Sequence, residues 1–159
     1  MPSKQQSILL GGLVAGLLST SYLSFINFLC CAGILAGAVV AVWHYTDTNE
    51  LTLKPGEGAV MGVLAALVGW GLSFVLNYAL MSAGIRADQV VSQFMLDRFG
   101  KSMPPEQYDT IVAQMEQELT FGKYVVSALP GLALSALFGS IGGAIGSVMF
   151  KKGGEVEAA

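Results

Sequence analysis

The chain has 159 residues, 53% of them hydrophobic and 12% charged, with a formal net charge of −3 and a mean hydropathy of +0.63. A soluble domain carries about 25% charged residues, and here the deficit is concentrated: Gln5–Thr46, Gly58–Ile85 and Tyr124–Phe150 contain no Asp, Glu, Lys or Arg. Blocks of this length, against about 20 apolar residues per bilayer crossing, predict an integral membrane protein, and the lack of any basic patch excludes nucleic acid as a partner.

After a short polar start carrying Lys4, Ile8–Leu23 reads as a first span. It runs too far, without a small-x-small cleavage site, to be a signal peptide. Gly12, Gly16 and Thr20 recur at four-residue spacing, so they share one helix face. Ser24–Asn27 is the expected turn, and Phe28–Tyr45 a second span with Gly33, Gly37 and Ala41 on one side. A connection this short predicts an antiparallel hairpin. Trp43, His44 and Tyr45 fall where an interfacial aromatic belt is expected. Thr46–Glu57 reads as a polar loop closed by the Pro55-Gly56 turn.

Gly58–Ser82 is the third expected span. It opens with Gly58, Gly62 and Ala66 four apart, and Trp70, Phe74 and Tyr78 continue the same row, so the face changes from smooth to bulky. Ala83–Gly122 then breaks the pattern with six acids and three bases. Val90, Val91, Phe94, Met95 and Phe99 form an amphipathic stripe that Gly100 can end. Pro104-Pro105-Glu106 reads as a helix start, followed by Tyr108, Ile111, Val112, Met115 and Leu119 at helical spacing. Two short antiparallel helices outside the lipid are expected, with their stripes buried.

Tyr124–Phe150 is the fourth expected span, and it holds the densest small-residue pattern: Gly131, Ser135, Gly139, Gly143 and Ser147 four apart, with Gly142 and Gly146 beside them. In water this much glycine penalises a helix. In lipid, where the backbone must bond internally, a smooth stripe lets a neighbouring helix approach closely. Pro130 predicts a kink or break near residues 126–130. Lys151-Lys152 ends the span, and Gly153–Ala159 is expected to be a flexible tail. With four spans both termini share a side. Lys4, Lys54, Lys151 and Lys152 lie there and Arg86, Arg98, Lys101 and Lys123 opposite. The short segments and the lysines abutting a helix end favour termini on the cytoplasmic side.

Two spans, a short loop, a third span opening at Gly56-Glu57-Gly58, an acidic insert with a Pro-Pro-Glu helix start and a glycine-rich last span ending in Lys-Lys form a recognisable layout. It resembles a group of small bacterial four-span proteins classed as a domain of unknown function. The resemblance implies a protein of the bacterial cytoplasmic membrane and implies no activity.

Candidate chemistry is sparse. Cys30 and Cys31, adjacent at the start of the second span, suit a redox pair, an inter-subunit disulfide, a lipid attachment point or half a metal site. Plain packing is favoured over these, because cysteine behaves as a small apolar residue. His44 is the only histidine, and 13 residues of helix, roughly 20 Å, separate it from Cys31, so no joint metal site is expected. Glu57 is placed to cap a helix, with a proton or cation site as the alternative. Asn77 is a polar membrane position suited to an interhelical hydrogen bond. No acid or base lies mid-span, and neither a phosphate-binding loop nor a hydrolase or metalloprotease motif occurs.

The sequence therefore predicts an all-α membrane protein with four transmembrane helices and an extramembrane helical pair between the third and fourth. It is expected to be non-enzymatic and to need no cofactor or metal. The expected role is a scaffold or accessory subunit that associates with itself or a larger membrane complex through its glycine faces. The alternative is a small oligomeric pore lined by Asn77, Thr20 and serines.

Overall fold

The computed structural model describes residues 3–20, 31–84, 87–116 and 120–153, and the regular elements among them are all helical. In chain order they are α1 (Gln5–Leu18), α2 (Ala32–Asn49), α3 (Pro55–Ser82), α4 (Ala87–Phe99), a 3-10 turn at Gly100–Ser102, α5 (Pro105–Glu116) and α6 (Phe121–Met149). The expected turn at Ser24–Asn27, Cys30 and residues 154–159 lie outside the described residues.

The expectation of four membrane-spanning helices is corrected. Among the described residues two helices, α3 and α6, are long and apolar enough to cross a membrane. With 28 and 29 residues, each measures about 42–44 Å at the helical rise. α1 has 14 residues, about 21 Å, against a hydrocarbon core of about 30 Å. α2 has 18 residues, but its last four are Thr46, Asp47, Thr48 and Asn49. The apolar blocks are real; the helices in the first of them are too short or too polar at one end.

Local chemistry sets these ends. Polar residues extend α2 past Tyr45 because their side chains bond back to the helix. Thr46 Oγ1 donates to the carbonyls of Val42 and Trp43, both at 3.0 Å, and Asn49 Nδ2 to that of Tyr45 at 2.8 Å. Glu50, in the left-handed region at φ 49°, then stops it, and Leu51 N–H reaches the Thr46 carbonyl at 3.2 Å, a common helix ending. The following loop is thus shorter than the expected Thr46–Glu57 segment, and it is pinned: Leu51 and Leu53 are buried against Tyr45 and Met61. Pro55 takes the first turn of α3, where its missing N–H costs nothing. Pro130 does not break α6, which runs continuously from Phe121 to Met149.

α1 and α2 are antiparallel, α3 and α6 are antiparallel, and α1 runs parallel to α3. The packing follows from paired stripes of small residues on each helix. On α3, Gly58 and Gly62 lie against Gly143 and Gly139 of α6. A methyl at Gly143 would run into the Gly58 carbonyl, one at Gly62 into the Gly139 carbonyl, and one at Gly139 would sit 2.6 Å from Ala66 Cβ. A second α3 face, with Ala65 and Gly69, meets α1, where Gly12 and Gly16 lie against Val68 and Leu72. α1 turns another small face, Gly11 and Ala15, onto Gly37 and Ala41 of α2. Gly142 and Gly146 of α6 close the ring against Ala38 and Val42 of α2, at 3.0 and 3.1 Å from a built Cβ.

α4 and α5 pack on each other, with Gln89 Nε2 donating to the Met115 carbonyl at 3.1 Å and the Tyr108 ring over Gly100. Of the expected stripes, Leu119 and the side chains of Val90 and Val91 lie outside the described ones, and burial of the rest is only partial. Phe94, Phe99 and Tyr108 stay exposed, and Met95, Ile111, Val112 and Met115 are half-buried.

Two glycines of one helix separate close contact from glycine content as such. Gly62→Ala should lower stability in detergent by about 1–3 kcal/mol, the usual cost of overpacking. Gly71, with nothing within 4 Å of a built Cβ, should tolerate alanine or gain up to about 1 kcal/mol from helix propensity. Thermal unfolding of the two variants checks this; equal effects would contradict the packing.

Candidate functional site

Polar side chains gather at the end of the bundle where α1 and α3 begin and α2 and α6 finish. Glu57 occupies the first turn of α3, at the positive end of the helix dipole, and also forms a charge pair. Lys4 Nζ lies 3.8 Å from Glu57 Oε2 and 5.8 Å from the centroid of the Tyr45 ring. Oε2 is itself buried and accepts no hydrogen bond among the described residues, so the Lys4 ammonium and the helix dipole are its compensation. Next to them Ser7 Oγ and His44 Nδ1 are hydrogen-bonded at 2.8 Å, with the imidazole tautomer deciding which one donates.

The expected aromatic belt is split. Trp43 is 43% exposed, whereas Tyr45 is 1% exposed and belongs to the core. His44 is tied across to α1 rather than lying free at the interface. Lys152 pairs with Asp47, and Thr52 Oγ1 donates to the carbonyls of Lys152 and Gly153 at 3.3 Å, so the chain after α6 is fastened to the loop between α2 and α3. The hydrogen bond from Lys152 to Asp47, then the Asp47 and Glu50 charges, hold the ammonium above the usual lysine range. On the lysine side this attraction is therefore complete at neutral pH and is lost as pH rises through the raised value. Among the described residues no group of three or more His, Cys, Asp or Glu could hold a metal ion.

At the other end α3 and α6 continue beyond the shorter pair, and their contact changes from backbone on backbone to ring on ring. Trp70 stacks on Phe74 at 5.4 Å, Phe74 meets Tyr124 at 4.8 Å, and Tyr78 meets Phe121 edge-on at 5.4 Å. Tyr124 OH donates to the Phe74 carbonyl at 2.9 Å. Where the smooth and bulky zones meet lies a cavity of about 220 Å³, lined by Ala15, Cys31, Trp70, Ser73, Gly131 and Ser135 among others. Cys31, in the left-handed region at φ 57°, starts α2, and its carbonyl accepts from the N–H groups of Ile34 and Leu35 at 2.9 and 3.1 Å.

The small residues singled out in the sequence fall into three positions. Gly12, Gly16, Gly37, Gly58, Gly62, Gly139, Gly143 and Ser147 sit at helix contacts. Gly33 is buried on α2. Gly131 lies against the Trp70 indole, and Ser135 lines the cavity. Gly11 and Gly69 also make close contacts and were not singled out; their four-residue spacing from Ala15 and from Ala65 and Ser73 is the signal that could have found them. Three hydroxyls bond back to carbonyls three residues earlier: Thr20 donates to Leu17 O at 2.6 Å, Ser140 to Leu137 O at 2.7 Å and Ser147 to Ala144 O at 2.7 Å. Asn77, half-buried near the end of α3, has a contact of its own.

Comparison of the chain with protein families, with curated proteins and with solved structures finds no match.

Burial separates the two polar links at this end. Ser7→Ala, which strands the His44 nitrogen in a half-buried setting, should cost about 1–2 kcal/mol. Lys152→Ala removes a solvent-exposed pair and should leave the unfolding midpoint unchanged within error. Denaturation of both variants in detergent measures the contrast.

Proposed function

We propose that the protein is a non-enzymatic membrane scaffold or accessory subunit, embedded through α3 and α6 with the α1–α2 pair packed against them. One observation carries this reading: the distribution of residue sizes. On α6 the buried residues are Ser135, Gly139, Gly142, Gly143, Gly146 and Ser147, while Leu129, Leu134, Leu137, Ile141, Ile145 and Val148 are exposed. α1 repeats the pattern, with Gly11, Gly12, Ala15 and Gly16 inside and Leu9, Leu13 and Leu17 outside. Water-soluble domains bury their large aliphatics because that burial drives folding. A shell of leucine, isoleucine and valine around a glycine core suits hydrocarbon as solvent.

The glycine stripes are occupied within the chain, so association with a second copy or a larger complex would use the outer aliphatic surface and the acidic α4–α5 pair. Lys4, Lys54, Lys151 and Lys152 share one end of the bundle, which supports placing that end, with both termini, on the cytoplasmic side of a bacterial inner membrane.

Leu137→Arg distinguishes the two solvents. Leu137 is 54% exposed near the middle of α6. In a bilayer an arginine there costs about 2.5–3.5 kcal/mol and should sharply reduce recovery in carbonate-washed membranes; a water-exposed site would tolerate it. Light scattering of the wild type in native nanodiscs tests the scaffold role, for which a fixed assembly larger than one chain is expected and a lone monomer contradicts it.

A further inference from the structure

The cavity at the junction of the four helices has features that the scaffold reading does not use. Where Gly58 and Gly62 meet Gly139 and Gly143 the helices touch backbone to backbone, yet here about 220 Å³ remains open. An engineered apolar cavity of about 150 Å³ holds a benzene molecule, so a substituted ring or short chain fits. The walls are mainly apolar, and no carboxylate, ammonium or guanidinium is among them.

Two hydrogen-bond donors in these walls are unspent. Five serines of α3 and α6 turn back on their own helix: Ser73, Ser82, Ser127, Ser140 and Ser147 each donate to the carbonyl three residues earlier at 2.7–2.9 Å. Ser135 does not. It is 4% exposed, lines the cavity and makes no hydrogen bond with any described residue. The Trp70 indole N–H, on the facing helix, is likewise without an acceptor among the described residues; its Nε1 lies 3.5 Å from where a methyl on Gly131 would stand, one helical turn from Ser135. Ser135, a buried residue, and Trp70, a half-buried one, line this one cavity from facing helices, so both donors are available to a molecule inside it.

We infer that this cavity is a binding site for a neutral, mostly apolar molecule bearing a hydrogen-bond acceptor, a carbonyl compound dissolved in or belonging to the membrane. The apolar walls take its body, and the Ser135 hydroxyl and Trp70 N–H donate to its oxygen. An anion or cation is disfavoured, because no opposite charge is at hand to offset its desolvation.

The test uses the full-length Trp43→Phe protein, leaving Trp70 as the single tryptophan, in nanodiscs of ether-linked phosphatidylcholine. Trp70 emission is followed during titration with 2-octanone and, separately, with n-octane. Saturable responses are expected, with the ketone bound about threefold to tenfold more tightly, the range one net hydrogen bond supplies. Ser135→Ala should shrink that preference, and Gly131→Leu, which fills the cavity, should abolish saturation while the far-ultraviolet spectrum stays helical. If Gly131→Leu fails to fold, Gly131→Ala, whose methyl meets only ordinary contacts, should weaken binding instead. Repeating the titration in ester-linked lipid assigns the source: weaker ketone binding there identifies a lipid ester as the resident, and unchanged binding a free membrane-dissolved carbonyl compound. Equal, non-saturating responses to ketone and alkane in the starting protein, or a ketone preference undiminished by Ser135→Ala, would overturn the proposal.

Discussion

Gly58 and Gly62 of α3 meet Gly143 and Gly139 of α6 with no side chain between them, and a methyl at any of the four would strike the opposing helix. Such contact draws on dispersion and weak backbone interactions, which act only when helices come this close. It is also demanding, because at this density an added carbon must force the helices slightly apart, at a cost in stability. The smaller contacts depend on it. Gly12, Gly16 and Gly69 thin the α1–α3 contact, Gly11 and Gly37 the α1–α2 contact, and Gly142 and Gly146 bring α6 against α2.

A glycine core leaves the large aliphatics nowhere to go but outward, and this links packing to solvent. The same fact restricts chemistry. Few polar groups enter the bundle, and those at its lysine-bearing end are matched in pairs, Lys4 with Glu57, Ser7 with His44 and Lys152 with Asp47. These pairs join chain segments that are distant in sequence. The far end is organised by aromatic rings, which keep α3 and α6 together where the glycines stop.

The stripes were legible in the sequence because four-residue spacing of Gly, Ala and Ser maps directly onto one helix face. Which neighbour each stripe meets was not, since Gly12 and Gly11 are adjacent in sequence yet face α3 and α2 respectively. Helix length was misjudged where composition is a poor guide: an uncharged block from Gln5 to Thr46 is long enough for two crossings, but α1 ends at Leu18 and α2 starts at Ala32. The polar turn of α2 looks like loop in the sequence because back-bonding by Thr46 and Asn49 leaves no hydropathy signal. Tyr45 looked interfacial beside Trp43, but successive helical residues point about 100° apart, and it is the one that faces Leu51, Leu53 and Met61. The cavity had no sequence signature, since it arises where a smooth row gives way to Trp70 between elements far apart in the chain.

Cross-linking across the α3–α6 contact tests this picture most directly. A Cβ at Gly58 would lie 2.7 Å from that of Ser147, so a slight parting reaches the roughly 3.5–4.5 Å that a disulfide needs. With Cys30 and Cys31 replaced by serine, Gly58→Cys combined with Ser147→Cys in membranes under mild oxidation should give a fast-migrating, reductant-sensitive monomer, with the two peptides joined on digestion. A disulfide-linked dimer, or a monomer whose thiols remain unjoined, would contradict the account.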